Sequence, residues 1–316
     1  MRILVTGAFG FLGGRLAQHF ANQGHDLLLG SRRETLRPSW LEHGQCVAMA
    51  WGDPSSLSDV CAGVDLVLHA AGMNAQDCAS DPEAALAFNG GATGRLAGAA
   101  ASVGVPRFVY LSTGHVYAAP LQGHITEDHP PLNPHPYATS HLAGERALAE
   151  ICSGTVLQGL SLRLSNSFGA PTRPQADCWM LLVNDLCRQV AETGALRLGS
   201  PGAQQRDFLP ISALCSAVSR ILGTHDWSRF EPCINLGSGR ALTVLSMAKQ
   251  VQGCAERVFG RACPLNVPKA QAAFAPQDLH FVSSRWPLDD VVSADQYDQE
   301  LQALLRFCER HFGRGS

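Results

Sequence analysis

The chain has no apolar run long enough to span a bilayer, no Cys-x-x-Cys pair, and no internal repeat or low-complexity tract. The first absence removes a membrane-spanning helix. The opening residues read as a core strand and not as a signal peptide, so a cytoplasmic location is expected. A dominant charge sign is lacking too: Lys and Arg number 24 against 27 Asp and Glu, a formal charge of −3. That is no footprint for nucleic acid or an anionic membrane surface, and neither partner is expected. The eleven cysteines are scattered, several within apolar helical patterns (Cys178, Cys187, Cys215), which indicates reduced, buried thiols in place of disulfides. His124, His129 and His135 lie in a proline-rich loop without tight ligand spacing, so no metal is expected.

What is present is length and alternation. At 316 residues the chain can bury a large core, as one big domain or two unequal ones. Strand patterns at Arg2–Val5, Asp26–Leu29, Cys46–Ala50, Val64–His69, Arg107–Ser112 and Gly159–Arg163 are separated by helical ones. The helices include a long Ala-rich stretch from Pro82 to Val103 and another from Tyr137 to Ile151. This rhythm predicts an α/β fold, a doubly wound parallel sheet of the Rossmann type covered on both faces. A loop with five prolines, Ala118 to Pro136, is a candidate rim or lid. Beyond Gly169 the rhythm weakens, with helices near Trp179–Glu192 and Gln296–Phe312. We expect a dinucleotide-binding domain over 1–168, with a return near 211–240. A smaller, mostly helical substrate-binding cap over 169–316 is interleaved with it.

The first strand runs into Thr6-Gly7-Ala8-Phe9-Gly10-Phe11-Leu12-Gly13 and then a helical pattern. Glycines let backbone approach a ligand closely, and a helix N-terminus offers free N–H groups and a positive dipole end. The arrangement suits a dinucleotide pyrophosphate, in a Gly-x-x-Gly-x-x-Gly variant of the usual spacing. Gly7, Phe9, Gly10, Phe11, Leu12 and Gly13 are the candidate contacts. At the end of the second strand, where an acid would accept from the ribose of NAD, the chain reads Gly30-Ser31-Arg32-Arg33. Ser31, Arg32 and Arg33 suit a 2′-phosphate, so NADP is expected, with NAD left open by Glu34.

Three further segments resemble the extended short-chain dehydrogenase/reductase family, in its nucleotide-sugar epimerase/dehydratase branch. They are His69-Ala70-Ala71-Gly72, Leu111-Ser112-Thr113-Gly114-His115-Val116-Tyr117 and Pro136-Tyr137-Ala138-Thr139-Ser140-His141. Later stretches, Arg163 to Gly169, Gln205 to Phe208 and Asn235 to Gly239, are similar to the branch's substrate-side signatures. The resemblance places Ala70 and Ala71 beside the cofactor, Thr113 at the catalytic Ser/Thr position and Tyr137 as acid/base. It implies that Asp53 contacts adenine, although Asp53 equally suits a helix cap. It implies a homodimer through the Pro82 and Tyr137 helices. Arg206 is the candidate contact for a substrate diphosphate, Asn166 for the same phosphate or a turn cap, and His115 for substrate.

The chain departs from the pattern at His141, where the family has a lysine that lowers the tyrosine pKa and binds the nicotinamide ribose. An imidazole at i+4 shares the helix face of Tyr137, and can act there by charge or by holding a ribose hydroxyl. No acid occupies Gly114 or His115, which argues against dehydration. The basic, glycine-containing segment the branch often carries near position 275 is replaced by Phe274-Ala275-Pro276-Gln277-Asp278. The expected function is NADP-dependent hydride transfer at a sugar carbinol or ketone, as a nucleotide-sugar epimerase or 4-ketoreductase. Two alternatives remain: reduction of a small non-sugar carbonyl compound, and a cofactor-binding scaffold or redox sensor.

Overall fold

Leu4, Leu28, Val67 and Phe108 lie side by side on four neighbouring strands and are all buried. Their strands are β1 (Arg2–Thr6), β2 (Asp26–Ser31), β4 (Leu66–His69) and β5 (Arg107–Thr113), with β3 (Gly44–Ala48) beyond β2. Because side chains alternate across a pleated strand, the intervening Ile3, Val5, Leu27 and Leu29 are buried on the opposite face. The computed structural model describes residues 1–32, 36–224, 226–227, 230–269, 278–286 and 292–313. Arg33 and Glu34, and residues 274–277 of the segment near 275, lie outside the described residues.

The sheet has seven strands in the order Cys233–Leu236, Gln158–Leu164, β5, β4, β1, β2, β3, and the pairings from β3 to Gln158–Leu164 are parallel. The strand order reverses between β1 and β4, the crevice where doubly wound sheets hold ligands at their carboxyl ends. The fold class expected from the strand–helix rhythm is the one observed.

The chain divides into two compact units. One comprises Met1–Pro120, Glu127–Leu164 and Thr224–Asn235; the other comprises Leu121–Thr126, Ser165–Gly223 and Leu236–Ser316. In the first, the Leu4–Phe108 face is covered by α2 (Pro54–Cys61) and by the helices Thr93–Ser102 and Pro136–Ser153, through Leu57, Leu96 and Leu148. In the second, helices Leu182–Thr193, Val244–Phe259 and Ala294–Phe312 enclose Val183, Leu186, Met247, Val251, Leu301 and Leu304. Its strands form small sheets, one of which pairs Gly123–Ile125, from the proline-rich loop, with Leu279–Phe281. Among the described residues, no helix is long and apolar enough to cross a membrane.

One expected element is built differently. The Pro82–Val103 stretch is not a single α-helix: a short α-helix, Pro82–Ala85, passes into a π-helix, Leu86–Ala92, before Thr93–Ser102. The wider turn centres on buried Asn89, whose side chain accepts from Met73 N–H at 2.8 Å and donates to Ser140 Oγ at 3.0 Å. Asn89 thereby ties the strand end at Ala70–Met73 to the Tyr137 helix, and such bulges concentrate at functional sites.

Candidate active site

Gly7 has φ +65°, and an added Cβ there would sit 2.7 Å from Ala70 O. A Cβ at Gly13 would collide with Gly7 O. The two glycines let α1 (Phe11–Asn22) start hard against β1 and β4. Its N-cap, Gly10, has no capping side chain, and its first turn holds no acid. Gly10 N–H donates to Gly7 O at 2.8 Å and the first intrahelical bond runs from Gly14 N–H to Gly10 O, so the N–H groups of Phe11, Leu12 and Gly13 between them are left for an anion. Phe9 and Leu12 are half-buried and Phe11 is buried. This cradle, which any side chain would fill, fits a dinucleotide pyrophosphate.

Ser31 closes β2, and the exposed Arg32 follows with its guanidinium 5.7 Å from the Phe88 ring centre. Arg32 therefore keeps a cation beside the end of β2. Asp53 Oδ1 accepts from Ser55 N–H at 3.0 Å and Ser56 N–H at 3.3 Å, capping α2, so one of its oxygens is engaged structurally. Ala70 and Ala71 follow β4 directly, and Ala71 N–H reaches Thr6 Oγ1 at 3.3 Å.

Thr113 ends β5, and Tyr137 is in the first turn of the helix Pro136–Ser153, whose N-cap is His135. The Thr113 hydroxyl is close enough to the Tyr137 phenol to favour its ionised form, and it accepts from His115 N–H at 3.1 Å. Burial pushes the Tyr137 phenol up to about 12, against the smaller opposing effect of Thr113, although part of the residue remains open to solvent. His115 is half-buried beside Thr113, and its carbonyl accepts from Asn133 Nδ2 at 2.6 Å.

His141 stands on the Tyr137 face of the helix, its ring edge-on to Tyr137 with centroids 4.6 Å apart. Burial drives its pKa down to about 4. The imidazole is therefore neutral near pH 7, which corrects the expectation that His141 can supply charge to a phenolate. Behind it lies a stack that sequence reasoning missed: Tyr110 is sandwiched between His141 and His69, with centroid distances of 5.8 and 5.4 Å. His69 is driven down to about 3, first by burial and then by His141.

These two histidines predict acid lability. Each is held neutral in the folded chain and takes a proton near pH 6.5 once unfolded. The unfolded state therefore binds more protons below pH 6.5. Stability should be full above that value and fall as pH drops toward 4, by about 1.4 kcal/mol for each proton and each pH unit. Thermal melts from pH 8 to 4 check this, and His69→Gln should flatten the slope.

A buried ion pair fixes the same helix to the sheet. Arg163 binds Glu145 through Nη2 at 2.6 Å and Nε at 3.0 and 3.1 Å, and Ser112 Oγ donates to Glu145 at 2.5 Å. Arg163 Nη1 donates to Tyr117 Oη at 2.8 Å, and Tyr117 donates to Asn235 Oδ1 at 2.8 Å.

In the second unit, Arg206 is half-buried and donates to Gln204 Oε1 at 3.2 Å. Burial lowers its pKa, and among the described residues no carboxylate is paired with it. Asp207 does not pair with Arg206. It turns inward, accepting from Ser165 Oγ at 2.5 Å and from Ser238 N–H and Oγ at 2.8 Å each. Asn166 Nδ2 donates to Asp207 O at 3.0 Å, which holds its side chain against the strand.

Comparison with known proteins agrees with this fold. The model of the NAD dependent epimerase/dehydratase family matches residues 3–237. The chain belongs to that family. It is 30% identical over 171 residues to a probable low-salt glycan biosynthesis reductase of Haloferax volcanii, covering 54% of this chain and 55% of that protein. It is 35% identical over 153 residues to a dTDP-4-dehydrorhamnose reductase of Burkholderia thailandensis, covering 48% and 46%. The chain thus spans about half the length of these two relatives. Among solved structures, a UDP-glucuronic acid 4-epimerase from Bacillus cereus, in complex with UDP-glucuronic acid and NAD, matches with a TM-score of 0.76. At 21% identity, over 98% of this chain and 99% of that one, the likeness is one of fold.

Proposed function

We propose that the protein is an NADP-dependent oxidoreductase that reduces the ketone of a sugar carried on a nucleoside diphosphate. The observation that carries this reading is the placing of Tyr137 in the first turn of the helix Pro136–Ser153, with the His141 imidazole edge-on to it at 4.6 Å where a cation would stand; burial favours the neutral form of both. Oxidising a carbinol, the first half of an epimerisation, needs a phenolate to take the hydroxyl proton. Reducing a ketone needs a phenol to give one. A reduced nicotinamide, when bound, supplies the hydride. The chain's part is to hold the ketone oxygen between Thr113 and Tyr137, and to pass the Tyr137 proton to that oxygen as the carbinol forms. Water then returns a proton to Tyr137, part of whose surface is open to solvent.

Gly7, Gly10, Gly13 and the α1 N-terminus take the pyrophosphate in this reading, with Phe9, Phe11 and Leu12 around them. Ala70 and Ala71 line the nicotinamide side, and Asp53 is an adenine contact. Arg206 takes the substrate diphosphate, with Asn166 and His115 as further substrate contacts. A homodimer through the faces of the Pro82–Ser102 and Pro136–Ser153 segments left open is part of the proposal. Within one chain, these segments already pack small residues together, Gly90 on Ala143 and Gly94 on Ala147.

The test is incubation with NADPH and a nucleoside-diphosphate 4-keto sugar, with one NADPH consumed per ketone reduced as the expected result. Arg32 supports the 2′-phosphate assignment, and NADPH should bind more tightly than NADH. A charge-assisted contact contributes about 1.5–3 kcal/mol, so Arg32→Ala should cost NADPH about tenfold or more and leave NADH unchanged. Calorimetry giving equal affinities for the two cofactors in the native protein would remove the NADP assignment.

A further inference from the structure

Tyr110 has no part in the chemistry above, yet its phenol is buried against His141. Its oxygen lies 2.8 Å from His141 Nδ1, and the two rings stack with an interplanar angle of 21°. The space is made by Gly144, one turn beyond His141, where an added Cβ would lie 2.8 Å from the Tyr110 oxygen and 2.6 Å from Asn89 O. A mid-helix glycine is less favourable than alanine, so the opening is kept against local helix preference.

The hydrogens around Tyr110 follow from the donors and acceptors within reach. The 2.8 Å contact holds one hydrogen, from the phenol or from Nδ1. If Nδ1 supplied it, the phenol hydrogen would need another acceptor. Asn89 O is 3.5 Å away and already accepts from Thr93 Oγ1 at 2.7 Å. Thr93 Oγ1, which the phenol also reaches, gives its own hydrogen to Asn89 O and faces His69 Nε2 at 2.9 Å, so it is already engaged twice. The short contact to Nδ1 is the best placed acceptor, so the phenol donates there. A neutral His141 then carries its hydrogen on Nε2. The Cε1–Nε2 edge of the ring lies beside Gly72, 3.7 and 3.8 Å from where a Cβ would stand, one residue on from Ala70–Ala71.

We propose that Tyr110 is a positioning residue that holds His141 as the Nε2–H tautomer, so that position 141 offers a nicotinamide ribose hydroxyl an uncharged hydrogen-bond donor. The ribose half rests on the dinucleotide reading given under Proposed function; the tautomer half does not. Tyr110 thereby fits this site to an imidazole: it satisfies the nitrogen that would otherwise be a bare buried acceptor, and it aims the other.

Nitrogen-15 spectra of histidine-labelled protein, without ligand, read the tautomer directly. The His141 signals are assigned by their loss in His141→Gln. Nε2 protonated, with an exchange-protected Tyr110 hydroxyl proton coupled to Nδ1, is the expected result. A proton on Nδ1 in the native protein overturns the proposal, and needs no variant to be seen. The second arm is a double-mutant cycle on NADPH affinity. Tyr110→Phe should weaken binding about tenfold in the native background, and less than about twofold in a His141→Lys background, because an ammonium has no Nδ1 to satisfy. Equal losses in both backgrounds would make Tyr110 merely structural and overturn the positioning role. Should native protein show the expected tautomer but bind no NADPH, the dinucleotide reading and the ribose half fall together while the tautomer half stands.

Discussion

Tyr137→Phe is expected to lower turnover of a nucleotide-linked ketone by about a thousandfold while leaving NADPH affinity within about twofold. The phenol hydrogen is the proton the forming carbinol needs, and general-acid groups of this kind contribute about 10²–10⁴ in rate. The ring itself remains, edge-on to His141, so the surrounding packing is kept. Steady-state kinetics with calorimetry check both halves. A scaffold or redox sensor would show no turnover to lose. Full activity in Tyr137→Phe would move the proton donor elsewhere.

Arg163→Met is expected to destabilise the protein by about 3–5 kcal/mol, the largest single stability effect in the first unit. It leaves the Glu145 carboxylate buried with Ser112 Oγ as its remaining short donor among the bonds described above. It also removes the donor to the Tyr117 phenol. The pair joins the Tyr137 helix to the strand Gln158–Leu164, next to β5 and Thr113, so activity should fall with stability. Denaturant unfolding of Arg163→Met and of Arg163→Met with Glu145→Gln separates the causes. If an uncompensated charge is the cost, the second change restores much of the loss. If lost packing is the cost, it restores little.

The sheet was legible because its signals are local: apolar strands bounded by turns, and glycines where α1 must begin against β1. The proposed catalytic pair was legible by resemblance, since Thr113 and Tyr137 stand in short recognisable segments. What the sequence hid is non-local or geometrically silent. The π-helix at Leu86–Ala92 keeps the same apolar periodicity as an α-helix over so short a stretch, so nothing in its pattern distinguishes them. Glu145 and Arg163 are eighteen positions apart and meet only through the packing of helix on strand. Tyr110 reads as one more buried strand residue, and Gly144 as a weak spot in a helix. Their meaning appears when both are seen around His141. That histidine was visible as a departure, but its charge state was not, because burial decides it. Arg206 and Asp207 are adjacent in sequence, yet alternation along the strand sends them to different surroundings.

On the proposed reading, this site gives a proton to a ketone and does not begin by taking one from a carbinol. Reaction of the native protein with NADPH deuterated at the transferred position and a nucleoside-diphosphate 4-keto sugar tests it most directly. One deuterium should appear at the new carbinol carbon, with one equivalent of oxidised cofactor. The rate should show no break between pH 6 and 8, because His141 stays neutral there. Interconversion of two nucleotide-sugar epimers with no net consumption of cofactor would contradict it.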